Sequence, residues 1–318
     1  MGNSERRLRT EFIASLALLA LVGLLPLAVT NLYWLGVLVV SLYYALQAIG
    51  WNLLTGYTGQ MNLAPAAFAM VGAYGVGMLA YHFELPPWIG IPVGVAAAAL
   101  IGLGLGRIVL RLHGAYVALT TLSFAEILRL VVGNSYSLTR GDLGLNVPVL
   151  LDGRLPNYYL MLGAVVVVQV GVYLLLRSRT GLFLQAIRDD EVAAASRGIS
   201  VVWWKTLAFV LSAAICGLAG TLYAPFAGLI SPELGLVLNT GLVISMVVIG
   251  GMGTLIGPIA GALLVYVATE LLRDVGGYHM VIFALLVILI ARFFREGLWG
   301  LVTLARARLR RAADGAEA

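Results

Sequence analysis

The chain has 318 residues, of which 61% are apolar and 11% charged, with 20 Lys and Arg against 15 Asp and Glu. One soluble core cannot hold that much apolar surface, so the surplus faces lipid. This excludes a cytoplasmic enzyme, a nucleic-acid binder and a disordered scaffold, and it makes the net charge of +5 a topology signal and not the mark of a nucleic-acid partner.

In chain order, ten apolar runs read as membrane spans: 12–30, 33–53, 63–81, 88–110, 115–132, 158–176, 206–228, 240–251, 257–272 and 278–294. The first follows Arg6, Arg7 and Arg9 and continues through Pro26 with no clean small-residue cleavage site, so it reads as an uncleaved helix. The eighth is short and ends in glycine. The alternative is that it joins the ninth as one interrupted or re-entrant segment, which leaves eight or nine crossings. With the N-terminus inside, 16 of the 20 basic residues fall in inner segments and 3 (Arg140, Arg154 and Arg273) in outer loops, so both termini are expected in the cytoplasm. The fold class is therefore an all-α polytopic membrane protein of about ten helices, with Gly/Pro-interrupted helices, forming one domain over 1–318.

Two loops and a tail stand apart. The outer loop, 133–157, is polar and turn-rich and suits an external partner. The inner loop, 178–205, has Leu184, Ile187, Ala194 and Ala195 near helical spacing with Arg188, Asp189, Asp190 and Glu191 between them. Thr180 reads as its N-cap and Gly198 as its stop, so a short amphipathic helix is expected at the cytoplasmic face. The tail, 295–318, is basic with Leu298, Trp299 and Leu301, and is expected to lie against lipid headgroups.

No catalytic set is visible. Lys205 is the only lysine and lacks the glycine pattern of a phosphate-binding loop. His82, His113 and His279 are scattered, Cys216 is the only cysteine, and neither a metal site nor a cofactor is implied. Glu126 and Arg129 sit three apart within one span and read as an intramembrane ion pair toward its outer end. So few ionisable groups leave little to titrate in an ion-coupled secondary transporter, the rival reading. If a solute crosses, energy enters from another polypeptide, and the inner loop offers it a docking point.

Two breaks interrupt the apolar pattern. One carries Gly56, Gly59, Gln60, Asn62 and Pro65, and the other Gly250, Gly251, Gly253 and Pro258. Unwound backbone in a membrane lines a cavity or is buried in protein, so these residues are candidates for a translocation path. Gly72, Gly75, Gly77, Gly102, Gly104 and Gly106 read instead as helix-packing glycines.

Six segments in order, Asn52–Phe68, Tyr116–Arg129, Ala186–Ile199, Lys205–Ala214, Gly217–Tyr223 and Gly250–Pro258, resemble the permease subunit of bacterial ABC importers for branched-chain amino acids, of the LivM-like branch. The resemblance implies a non-enzymatic multi-pass subunit of the bacterial cytoplasmic (inner) membrane, without a cofactor. It implies a second permease subunit, two cytoplasmic ATPase subunits and an external solute-binding protein as partners. Ala193 and Ala194 followed by Gly198 resemble the family's ATPase-docking loop, which assigns coupling to the Arg188, Asp189, Asp190, Glu191, Ala193, Ala194 and Gly198 segment. Where the family usually has Gly-His after the first break, this chain has Ala64-Pro65. Relatives that carry urea or short amides are the alternative to amino acids.

Overall fold

The computed structural model describes residues 3–28, 31–109, 112 and 114–272. The tenth expected span (278–294), the basic tail (295–318), His113, His279 and Arg273 lie outside the described residues. The helices are α1 (Asn3–Ala28), α2 (Leu32–Thr58), α3 (Pro65–Phe83), α4 (Pro87–Val109), α5 (Ala115–Asn134), α6 (Tyr136–Thr139), α7 (Arg154–Arg177), α8 (Arg179–Asp189), α9 (Glu191–Ser196), α10 (Val201–Ala227), α11 (Val237–Gly250) and α12 (Gly257–Leu272). Strands β1 (Leu145–Asn146) and β2 (Leu229–Ile230) form a two-residue antiparallel ladder that ties the loop after α6 to the loop after α10.

Among the described residues, α1, α2, α3, α4, α5, α7 and α10 are long and apolar enough to cross a membrane. They match the first seven expected spans, but most run past the apolar stretch. α1 begins at Asn3, before Phe12, where Arg7 and Glu11 pair across one turn at 3.0 Å. α2 continues to Thr58. α7 begins at Arg154, shortening the expected outer loop. α10 begins at Val201, so Val201 to Lys205 form its first turns and the inner loop ends earlier than expected. Hydropathy marks only the apolar centre of a helix, whereas its polar ends keep the same backbone hydrogen bonds.

The expected eighth and ninth spans are α11 and α12, of 14 and 16 residues, about 21 and 24 Å long at 1.5 Å per residue. Gly250 lies against Gly257 and Gly261 against Met246, so the two helices run antiparallel as a hairpin whose tip is 251–256.

α10 packs along α2, α3 and α4, and these contacts are made by small residues. A Cβ at Gly72 would lie 2.1 Å from the Gly217 carbonyl oxygen, and one at Gly220 only 1.8 Å from that of Ala69. Lipid provides no hydrophobic drive between helices, so close backbone approach supplies the association. The helix-packing expectation holds for Gly72, Gly75, Gly102 and Gly106, whereas Gly77 admits Ile230 of β2 and not a helix. It fails for Gly104, which has no described atom within 4 Å of its Cβ position and faces outward. Leu21, Leu100, Ile127 and Val167 are exposed on α1, α4, α5 and α7, giving those helices apolar outer faces that suit lipid.

Candidate functional site where the two glycine breaks meet

The first break begins where α2 ends. Gly59, at φ 72°, caps α2 in the left-handed region, and Pro65 starts α3 at a position that needs no N–H donor. Between them, Asn62 is 1% exposed; its Oδ1 accepts from the Ala64 N–H at 3.0 Å, and its carbonyl accepts from Trp51 Nε1 at 2.6 Å. Thr55 Oγ1 donates to the Gln60 carbonyl at 2.9 Å. Gly56 lies inside α2, not in the turn itself.

The second break is the tip of the α11–α12 hairpin. Gly250 ends α11, Pro258 is buried in the first turn of α12, and Gly251 and Gly253 take positive φ of 120° and 75°.

These two breaks, nearly two hundred positions apart, are in contact. The Gly253 N–H donates to Asn52 Oδ1 at 2.8 Å, and Asn52 Nδ2 donates to the Thr254 carbonyl at 2.9 Å. One buried carboxamide thus satisfies both a donor and an acceptor of the tip. A Cβ at Gly56 would sit 2.9 Å from the Gly253 nitrogen, so glycine there admits the tip. Further along the tip, the Leu255 N–H donates to Glu11 Oε2 at 3.1 Å. Gln169 Nε2 donates to the Leu255 carbonyl at 2.8 Å and to Ser15 Oγ at 3.1 Å.

Arg188, in the last turn of α8, reaches the same place. Its Nη1 donates to the Gly56 carbonyl and lies 2.7 Å from where a Cβ of Gly253 would be. A polar cavity of about 270 Å³ opens beside this contact, bordered by Arg7, Glu11, Tyr57, Arg188 and Asp189.

The expected amphipathic helix is two helices. Asp190 interrupts it in an extended conformation (φ −157°), and its carboxylate caps α9 by accepting from the Val192 and Ala193 N–H groups at 2.9 and 3.0 Å. Thr180 lies inside α8, whose N-cap position is Ser178. Gly198, at φ 81°, closes α9: its own N–H donates to the Ala195 carbonyl and that of Ile199 to the Ala194 carbonyl. Ala194 is buried with Ile187 and Val201, whereas Asp189, Val192 and Ala193 point outward.

Glu126 and Arg129 pair on α5 with both side chains partly exposed, Arg129 lying near Gly235. They do not join the cluster. Lys205, used above only to exclude a nucleotide loop, is buried and bonded to Glu191. Asn52, Glu11, Gln169 and Lys205 were all missed. A lone carboxamide in the apolar run of α7 and a lone lysine were the available signals.

Residues 33–291 match the family described as "Branched-chain amino acid transport system / permease component". The high-affinity branched-chain amino acid transport system permease protein LivM of Escherichia coli (strain K12) is 32% identical over 315 residues, covering 88% of this chain and 74% of that protein. The LivM protein of Salmonella typhimurium is 31% identical, covering 81% and 68%. The corresponding LivH permease of Salmonella typhimurium is 26% identical, covering 60% and 70%. The chain belongs to this permease family. The family is one of transport permeases and not of enzymes, and this permease is a multi-pass protein of the bacterial inner membrane. Both glycine breaks and the α8–α9 segment lie within the matched region of the permease.

Proposed function

We propose that this chain is the membrane-spanning subunit of an ABC importer, carrying branched-chain amino acids across the inner membrane as one of two permease subunits. ATP hydrolysis is supplied by two cytoplasmic ATPase subunits, and an external binding protein delivers the solute to the end that carries β1 and β2. Ten crossings follow from the ten apolar runs, and the distribution of positive charge favours both termini in the cytoplasm. The ATPases dock on α8–α9, where Arg188, Asp189, Asp190, Glu191, Ala193, Ala194 and Gly198 form the coupling segment. The translocation path is bordered by Gly56, Gly59, Gln60, Asn62 and Pro65 on one side and by Gly250, Gly251, Gly253 and Pro258 on the other.

The carrying observation is the contact of Arg188 with both glycine breaks. It gives a segment suited to docking a direct purchase on the contact between the end of α2 and the tip of the α11–α12 hairpin. Family membership supports the substrate class and the division of labour with other subunits.

The test is reconstitution of the chain with its cognate ATPases, partner permease and binding protein. ATP-dependent leucine uptake that survives collapse of the ion gradients is the expected result. Uptake driven by an ion gradient without ATPases would replace this reading with a secondary carrier. Transport of urea or acetamide in place of leucine would keep the mechanism and change the substrate.

A further inference from the structure

We infer that the Lys205–Glu191 pair is the link that carries motion of α9 into α10, an inference that rests on the coupling role proposed for α8–α9. Lys205 is the only lysine of the chain, and its side chain is 1% exposed. Its Nζ lies 2.5 Å from Glu191 Oε2, while the Glu191 side chain is 35% exposed. An ammonium is a compact, strongly hydrated charge, and burying one is costly unless a partner compensates it. Glu191 is that partner, and it is the first residue of α9.

α9 has six residues, too few to persist as a helix by its own hydrogen bonds. Its ends are closed by Asp190 and by the Gly198 turn, so it behaves as a small preformed block. Two kinds of contact hold this block to α10. One is apolar, Ala194 clustering with Val201 and Trp204. Apolar contact is non-directional, so it resists compression but lets surfaces slide. The other is the charged hydrogen bond from Lys205, which is short and directional and therefore transmits a pull.

What receives the pull is a rigid piece. α10 is locked to α3 by backbone contacts at Gly217 and Gly220, and to α4 by the Ala98 Cβ against Gly217, with no space left for a side chain. α8, across the extended residue Asp190, also packs on α10, with Phe183 against Trp204 at 5.1 Å between ring centroids, and it alone reaches α2 and the hairpin tip through Arg188. The charged attachment to α10 belongs to the α9 arm, and Lys205 is its positioning residue.

The test uses the full chain assembled with its ATPases, partner permease and binding protein in proteoliposomes, with leucine as the probe solute. The readout is leucine taken up per ATP hydrolysed. Lys205→Met and Glu191→Gln are each expected to lower this ratio about tenfold, and the double variant to be no worse than either single one. Lys205→Arg, which keeps the charge, is expected to recover most of it, which a loss of packing alone would not predict. A parental ratio in either single variant overturns the inference, as do losses that add in the double variant. If Lys205→Met does not assemble, Glu191→Gln decides alone, because Glu191 is partly exposed and its amide analogue keeps its size. If the parental chain retains no ATPases, the importer reading fails; if it retains them and Glu191→Gln transports at the parental ratio, only this inference fails.

Discussion

Arg188 donates a hydrogen bond to the carbonyl of Gly56, 132 positions earlier in the chain, and in doing so joins the end of α8 to the inner turn of α2. The acceptor lies in the last turn of α2, past the closing bond from the Gly59 N–H to the Thr55 carbonyl, so Arg188 supplies a partner to a carbonyl that the helical ladder leaves open. It also crosses over Gly253, so one guanidinium touches both glycine breaks. Replacing Arg188 by Met keeps the stem and removes the donor. ATP-driven leucine uptake is expected to fall by about tenfold, with the protein still in the membrane, as for loss of a hydrogen bond to a charged group worth about 1.5–3 kcal/mol. Radiolabelled uptake together with quantitative immunoblotting checks this.

The two path glycines are expected to differ in their tolerance. Gly253 has positive φ, and a Cβ there would come within 2.7 Å of Arg188 Nη1 and push the guanidinium off the Gly56 carbonyl. Gly59 also has positive φ but meets Arg188 only at 3.6 Å, an ordinary contact. Gly253→Leu is expected to abolish uptake, whereas Gly59→Asn, a residue that adopts the left-handed region, keeps most of it. Equal uptake by the two variants would contradict the geometry.

Asn52 is the hinge pin of the hairpin tip. Asn52→Leu leaves the Gly253 N–H and the Thr254 carbonyl without their partner, at about 1–3 kcal/mol for each buried group. A clear drop in the midpoint of thermal unfolding in detergent is expected. A surface change such as Asp189→Asn, at an exposed side chain, serves as the control that leaves the midpoint in place.

The closing turn of α9 offers a backbone test. Gly198→Val forces a β-branched residue into the left-handed region, at about 1–2 kcal/mol. Ala194→Asp adds a charge to a buried apolar contact, Ala194 being 4% exposed. Both are expected to weaken ATPase association while the membrane helices stay folded, measured by co-purification beside circular dichroism. Solute-stimulated ATP hydrolysis by Ala194→Asp at the parental rate would remove α9 from the coupling role.

Orientation is testable by labelling. Cys216 is fully buried in an apolar cluster with its thiol at the long distance of 3.8 Å from the Gln47 carbonyl, so the near-isosteric Cys216→Ser is expected to give a silent background. In intact cells an impermeant thiol reagent is expected to label Asp152→Cys and not Arg188→Cys. The reverse pattern would invert the map.

Much of the fold is legible in the residues themselves. Apolar length announces membrane helices, and Gly59, Pro65 and Gly198 mark helix ends, because each of these is a local property of a short stretch of chain. The packing role of Gly72 and the outward-facing Gly104 look alike in that pattern, and only the neighbouring helices separate them. The same holds for the candidate site. Its glycines were visible as breaks, but their contact through Asn52, the reach of Arg188 and the burial of Lys205 against Glu191 depend on how distant helices pack. Periodicity reports which face of a helix is apolar and not which helix lies against it. Tertiary packing alone decides which polar group ends up opposite which, because a buried donor or charge is tolerated only where the fold delivers its partner.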